Sequence, residues 1–379
     1  MKINVAILGL GTVGYGVYDI ITHSTYLKNV KVKKILDKDL SRNEEVGGII
    51  TTDYKEILLD KEINVVVETM GAGTFSYKCI KEALMCDKNV ITANKEVIAD
   101  HLDELTKLKN VHKVSLYYEA SVGGGIPIIK PLHLLALNNN VNSIQGILNG
   151  TTNFILSSMD QNKLSFKEAL KLAQEKGFAE SDPTNDLEGL DMVRKIAILS
   201  MIAYKTNINI KNIYHYGIAG VTPSDIDYAR SKGYELKFIA SSLVDNGKLS
   251  IRVEPTFVKS SSVLSSIDWE NNGILVNTNY HGDLLFYGKG AGRYPTAAAI
   301  VNDLVMIYSK DKNYSLNVLN KLSFAKNNKP SKYYIRVKNI KKIDQKIIEK
   351  IERNVIITKM IDFNDINLDG VSFYARIGD

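Results

Sequence analysis

A chain of 379 residues, 45% hydrophobic and 24% charged, is long enough for two or three domains with full cores and needs no disulfide or metal staple to fold. Its net charge of +6 comes from lysines interspersed with acids, without a run of five basic residues, which argues against nucleic acid as a partner. No apolar run approaches a membrane span, and M-K-I-N-V-A-I-L-G enters a strand without a charged leader, so a cytoplasmic protein with no membrane partner is expected. Cys79 and Cys86, in one helical pattern without C-x-x-C spacing, read as structural thiols of a reducing compartment, and the six scattered histidines give no zinc spacing.

Residues 2–8 form a short buried strand that runs at once into Gly9-Leu10-Gly11-Thr12-Val13-Gly14 and then a helical pattern through Val17, Ile20 and Ile21. Between a first strand and a first helix, G-x-G-x-x-G is a dinucleotide fingerprint: glycines permit the tight turn and close approach, and the helix start offers N–H groups to a pyrophosphate. Gly9, Gly11, Thr12, Val13 and Gly14 are therefore cofactor-binding candidates. A second strand over 30–36 ends at Asp37, placed for the ribose hydroxyls of NAD, while Lys38 and Arg42 are placed for the extra phosphate of NADP, so both cofactors stay open.

Strands over 64–68, 89–92 and 114–118 alternate with helices ending near Met85 and Lys109. That alternation predicts a Rossmann-type α/β fold, a doubly wound parallel sheet with ligands at the carboxyl ends of its strands, where Glu68, Thr69, Thr92 and Lys95 fall. A solvent-facing lysine at a helix start is the plain alternative for Lys95. The run Glu119 to Pro127, with three consecutive glycines, is a turn at a domain crossover. A helix to Leu137 and a strand over 143–148 lead to Asn149-Gly150-Thr151-Thr152-Asn153, which has the composition of a ligand-facing helix start. Ser165 and Glu168 make a capping box for a helix ending at Gly177.

The stretch 177–195, G-F-A-E-S-D-P-T-N-D-L-E-G-L-D-M-V-R-K, spends acidic residues where a core element would not. Pro183 breaks regular structure before Asp186, which is expected to cap a helix whose apolar stripe is Leu187, Leu190, Val193, Ile196 and Ala197. Asp191 and Lys195 are four apart on another stripe and pair. An ordinary helix ion pair would look the same; five carboxylates, Glu180, Asp182, Asp186, Glu188 and Asp191, around one cation suit a substrate ammonium group. Beyond residue 204 the pattern gives a helix over 223–234, strands over 249–258, 274–280 and 284–287, and a second glycine-rich helix start at 288–292, where Gly292 is a further cofactor candidate. At the end, a strand over 332–337, a helix over 344–352 and strands over 354–361 and 371–377 are expected.

Six ordered blocks carry a resemblance: G-L-G-T-V-G at 9–14, T-A-N-K at 92–95, E-A-S-V-G-G-G-I-P at 119–127, N-G-T-T-N-F-I at 149–155, the stretch 177–195, and G-K-G-A-G-R-Y-P-T-A at 288–297. Over roughly residues 2–310 the chain resembles homoserine dehydrogenase. The resemblance implies NADP- or NAD-dependent interconversion of homoserine and aspartate 4-semialdehyde, a step toward threonine and methionine. By position it makes Lys195 the residue that exchanges a proton with the reacting oxygen, with Asp191 beside it and Lys95 facing the site. Glu180, Asp186, Gly150 and Thr151 become substrate-binding, and the main-chain carbonyls of Glu119, Val122, Gly124 and Ile126 become ligands of a monovalent cation such as sodium. It further implies a homodimer, with a dinucleotide domain at 1–130 completed by 288–310, an α+β substrate and dimerisation domain at 131–287, a linker at 311–331, and a truncated ACT-like tail at 332–379. That tail is expected to support assembly and not to transmit inhibition by threonine. Two rivals differ in kind: a semialdehyde dehydrogenase acting through a cysteine thioester, and a dinucleotide sensor without turnover.

Overall fold

The computed structural model describes residues 2–310, 320, 322–325, 330–367 and 369–378. The expected linker at 311–331 lies for the most part outside them. The chain divides into two compact units, one of residues 1–138, 201–208 and 288–320 and the other of 139–200, 209–287 and 321–379.

In the first unit, β1 (Ile3–Leu8), buried at every position, runs through the glycine loop into α1 (Thr12–His23) and β2 (Val30–Leu36). There follow β3 (Ile50–Thr51), α2 (Tyr54–Leu59), β4 (Val65–Glu68), α3 (Thr74–Met85), β5 (Asn89–Thr92), α4 (Lys95–His112), β6 (Leu116–Tyr117) and α5 (Ile129–Asn138). All six strands are parallel in the order β3-β2-β1-β4-β5-β6. The order reverses at β1, so the loops after β1 and β4 flank the crevice where such sheets take ligands. The short β3 and α2 carry too few residues for a periodic signal; Asp53 caps α2 by accepting from Lys55 N. A late helix, Arg293–Tyr308, returns to lie on α1, where a Cβ on Gly16 would come within 3.0 Å of Ala297 Cβ. Its Ala297, Ile300 and Leu304 join Val5, Ile7, Val17, Ile21 and Val67 in one core.

The second unit contains β7 (Val141–Ile147), α6 (Gly150–Gln161), α7 (Phe166–Glu175), α8 (Thr184–Leu187) and, through Ser200, α9 (Leu190–Tyr204). It continues with β8 (Tyr214–His215), α10 (Pro223–Ser231), β9 (Tyr234–Asp245), β10 (Lys248–Lys259), β11 (Asn271–Thr278) and β12 (Gly282–Lys289). The last elements are β13 (Ser323–Phe324), β14 (Lys332–Val337), β15 (Ile348–Glu352), β16 (Val355–Thr358) and β17 (Val371–Ile377). A mixed sheet runs β12-β11-β7-β9-β10-β17-β14-β16-β15, with β8 and β13 also on β10.

Three expectations are corrected. The helix expected to start at Asp186 is split: α8 is one turn, Gly189 adopts φ +83°, and α9 begins at Leu190. Glycine is required there, because a Cβ would meet Phe238 Cζ at 2.8 Å and Val253 Cγ1 at 2.9 Å. The helix over 223–234 stops at Ser231, since Gly233 at φ +78° turns the chain and Tyr234 opens the long strand β9, for which no element was expected between residues 235 and 248. The helix at 344–352 does not form. A 3-10 turn (Gln345–Ile347) passes into β15, and Arg353 at φ +58° closes a hairpin with β16, so pairing in the sheet overrides a helical spacing of isoleucines.

The tail is thus four strands added to the unit's own sheet, through parallel pairing of β17 with β10 at Thr256–Arg376 and Phe257–Ile377. Two buried carboxylates fasten it. Asp225, 0% exposed, accepts from Tyr334 Oη at 2.7 Å and Arg336 Nε at 2.9 Å. Glu254, 1% exposed, pairs with Arg252 at 3.0 Å and Arg376 at 3.2 Å, and Arg252 also donates to Tyr333 Oη.

Candidate active site

The polar cluster of the second unit is built on a helix start. Asn149 caps α6, its Oδ1 accepting from Thr152 N at 2.9 Å, which turns its Nδ2 toward the acidic stretch. Nδ2 donates to Asp186 Oδ1 at 2.7 Å and Asp191 Oδ2 at 2.9 Å. Lys195, one turn along α9, donates to the same Asp191 oxygen at 2.8 Å and to the carbonyl of Leu148 at 2.7 Å. The Lys195 and Asp191 side chains are only 12% and 10% exposed, so this pair is not surface decoration. Burial raises the Asp186 carboxyl above its ordinary range, against the lowering effect of the Asn149 amide, with the Asp191 charge adding to the rise.

Around this centre, Thr151 Oγ1 donates to the carbonyl of Phe178 and ties α6 to the loop that carries the acids. Gly150 is steric: a Cβ there would stand 2.8 Å from the Glu270 carbonyl oxygen. Glu180 is exposed in the loop after Gly177, its carbonyl accepting from Gln174 Nε2 at 3.1 Å. The structure therefore gathers Lys195, Asp191, Asp186 and Thr151, and leaves Glu180 on the open side. Asn149 and the Leu148 carbonyl, which hold the cluster together, were visible in sequence only as the first residue of the N-G-T-T-N block and the end of the strand before it.

In the first unit the fingerprint folds as its glycines require. Gly9 has φ +92°, and a Cβ on Gly14 would lie 1.9 Å from the Gly9 carbonyl oxygen and 2.8 Å from Thr69 Oγ1. Gly11 has open space about it and begins α1 without a side-chain cap, so Thr12, Val13 and Gly14 present the first-turn amides. Asp37 Oδ2 accepts from Leu10 N at 2.6 Å, Lys38 is exposed, and Arg42 turns back to donate to the Leu10 carbonyl at 3.1 Å. Gly292, at φ +118°, starts the returning helix, again with no side-chain cap.

Glu68 organises the loops at the next strand ends. It is fully buried, accepting from Met70 N at 2.8 Å and from Thr92 Oγ1 at 2.6 Å, and burial raises its pKa. Thr69 Oγ1 donates to the Gly9 carbonyl at 2.9 Å. The hydroxyls of Thr69 and Thr92 thus shape the loops. Asn94 caps α4, setting Lys95 at its first position, half-buried and 3.6 Å from Glu96.

Two family models match the chain: a homoserine dehydrogenase model over residues 127–305 and a homoserine dehydrogenase NAD-binding domain model over residues 9–119. Among curated proteins, homoserine dehydrogenase of Bacillus subtilis (strain 168) is 38% identical over 325 residues, 83% of this chain and 74% of that one. The chain belongs to the homoserine dehydrogenase family. The Synechocystis homoserine dehydrogenase is 39% identical, over 84% of this chain and 77% of its own. A solved homoserine dehydrogenase from Thiobacillus denitrificans superposes with a TM-score of 0.90 at 29% identity, covering 100% of this chain and 99% of that one. A hyperthermophilic archaeal homoserine dehydrogenase solved in complex with NADPH matches with a TM-score of 0.71 at 26% identity, over 83% of this chain and 100% of that one. As a member of the homoserine dehydrogenase family the protein is an NAD(P)-dependent oxidoreductase with an α/β, Rossmann-type cofactor domain.

The family resemblance placed a cation at Glu119, Val122, Gly124 and Ile126. All four are buried in a loop whose Gly123 and Gly124 have φ +74° and +55°. A Cβ on Gly124 would meet the Gly290 backbone at 2.5 Å. The Glu119 carboxylate is used elsewhere, accepting from Ile128, Ile129 and Lys130 N–H groups at 2.6, 2.7 and 3.0 Å to cap α5, so main-chain oxygen is what this loop has to offer a hard cation. Among the described residues no group of three or more His, Cys, Asp or Glu is placed to hold a metal ion, and no helix is long and apolar enough to cross a membrane. Cys79 is buried, its thiol pushed up to about 12 by burial and so not activated, and Cys86 follows the end of α3; the thioester rival is not favoured.

Proposed function

We propose that the protein interconverts L-homoserine and L-aspartate 4-semialdehyde, with NADP or NAD supplying or accepting the hydride at carbon. The observation that carries this reading is the half-dry Lys195 ammonium, aimed by Asp191 and the Leu148 carbonyl beside two further polar partners, Asn149 and Asp186. Hydride addition to an aldehyde leaves charge on oxygen, and a positioned ammonium both stabilises that charge and delivers the proton. In the oxidative direction the same nitrogen, as the neutral amine, takes the hydroxyl proton and becomes the ammonium. Asp191 holds the cation in one rotamer, so that little reorganisation is needed when charge develops.

Asp186 and Glu180 supply the negative charge that suits the substrate ammonium group, and Thr151 with Gly150 shapes the wall. In the cofactor domain, Gly9 to Gly14 and Gly292 take the dinucleotide phosphates, Asp37, Lys38 and Arg42 meet the adenosine ribose, and Lys95 serves as the second cation of the reaction. The carbonyls of Glu119, Val122, Gly124 and Ile126 would hold a sodium ion that braces the crossover loop. We place the enzyme in the cytoplasm, as a homodimer, in threonine and methionine biosynthesis. The test is direct: purified protein with homoserine and NADP or NAD, followed at the absorbance of the reduced nicotinamide. Cofactor binding without reduction of either cofactor would leave a sensor and end the enzymatic reading.

A further inference from the structure

The end of β2 carries an arrangement that the cofactor fingerprint does not account for. Arg42 leaves the loop after β2 and folds back over the fingerprint, donating to the Leu10 carbonyl at 3.1 Å while its guanidinium lies 4.4 Å above the ring of Tyr15 on α1. Its remaining fork is taken. Nε donates to Glu45 Oε2 at 2.8 Å and Nη2 to Glu45 Oε1 at 3.2 Å, a two-point contact. A guanidinium fork grips carboxylate and phosphate in the same bidentate way, so the Glu45 carboxylate sits as a phosphate would. Arg42 is at the strand end where the adenosine ribose of a dinucleotide is read. The neighbouring Asp37 has one oxygen on Leu10 N and the other on Asp39 N, at 2.6 and 2.9 Å, and so is fixed in place.

We infer that Glu45 is a specificity-determining residue: its carboxylate is an internal counter-anion on Arg42 that the 2′-phosphate of NADP must displace and that NAD does not meet. The inference rests on the NAD(P) reading of this domain. The pair is reachable, with side chains 36% and 44% exposed, and an exposed pair of this kind is held weakly enough to be exchanged. A phosphate entering beside Glu45 meets a like charge; one that displaces it inherits the fork. NAD, with a hydroxyl at that position, is indifferent to either event. Glu45 therefore holds down a preference for NADP that Arg42 alone would make stronger.

The experiment is equilibrium binding to the full-length protein, without turnover. Dissociation constants for NADPH and NADH are read from the fluorescence of the reduced nicotinamide, and that of 2′,5′-ADP by calorimetry, for wild type, Glu45→Gln, Arg42→Ala and the double variant. Glu45→Gln is expected to tighten NADPH and 2′,5′-ADP by about three- to tenfold and to leave NADH within about twofold, the scale of one partly screened charge contact. In the Arg42→Ala background, adding Glu45→Gln is expected to leave only the smaller gain from lost like-charge repulsion. Equal effects on NADPH and NADH, or none with both bound, would overturn the inference. Failure of wild type to bind either dinucleotide would instead remove the cofactor reading on which it stands.

Discussion

Lys195 Nζ and Asp191 Oδ2 stand 2.8 Å apart one turn from the start of α9, and that same oxygen accepts the Asn149 amide. The carboxylate is thereby held from two sides. It cannot follow the lysine if the lysine moves, so the ammonium is aimed by a fixed anion.

Replacing Lys195 with Ala removes the proton source at the reacting oxygen and nothing at the pyrophosphate. Turnover is expected to fall by about a hundred- to ten-thousandfold, with NADPH affinity unchanged. Asp191→Asn is expected to lower kcat by a smaller factor, because the ammonium remains and only its aim is lost. A parallel loss of cofactor binding in Lys195→Ala would show that the residue holds the fold and not the chemistry.

Asn149→Ala deletes the cap of α6 and the amide that bridges the helix start to both acids. A lost cap, together with one donor removed from the buried Asp191 and one from the partly buried Asp186, should lower stability by about 2–3 kcal/mol. Urea denaturation reads that loss, and steady-state kinetics should show kcat reduced with the homoserine KM raised. Unchanged stability with normal kinetics would mean that the amide is a bystander.

How much of this was legible in the chain depends on the range of the interaction. The glycine fingerprint, the Ser165 capping box and the strands of the parallel sheet announce themselves because their physics is local: a turn, a cap, a short apolar run. The Asp191–Lys195 pair was legible for the same reason, being four apart on one helix. The Asn149 bridge was not, since it spans 37 and 42 positions to its two acids, and no spacing rule reaches that far. Glu45 was passed over because an acid three residues from an arginine in a polar loop looks like solvent-facing decoration. The tail misread has the opposite origin: Ile343, Ile347 and Ile351 have helical spacing, but Ile343 and Ile347 are buried from a bend and a 3-10 turn, and Ile351 pairs with Ile356 in a β hairpin.

His133 on α5 gives a prediction in pH. Burial lowers its pKa from 6.5 to about 4, with the charges of Lys109 and Lys205 adding to the effect, while its Nε2 stands 3.2 Å from Tyr118 Oη. A base whose folded pKa is depressed is proton-poor in the folded state, so the unfolded chain binds more protons between pH 4 and 6.5. Stability is therefore complete above 6.5 and falls as pH drops toward 4, by about 3 kcal/mol across the gap at full effect. His133→Gln should flatten that part of the profile when unfolding free energy is measured in urea over this pH range. A variant that keeps the wild-type slope would place the titrating group elsewhere.

The last prediction concerns the tail. β17 pairs with β10, and the tail arginines lie on carboxylates of the body, so β14 to β17 share the second unit's sheet. Arg336→Ala removes the cation that faces Asp225, a carboxylate with 0% exposure that still accepts from Tyr334. An uncompensated buried charge costs about 3–5 kcal/mol, so the variant should unfold at markedly lower urea. Arg336→Met is expected to do the same, since its volume returns without the charge, whereas Arg336→Ala combined with Asp225→Asn should recover much of the loss. Millimolar threonine should leave the activity of the wild type unchanged, and it should not shift its urea midpoint. Inhibition by threonine that Arg336→Ala abolished without loss of stability would make the tail a regulatory module after all.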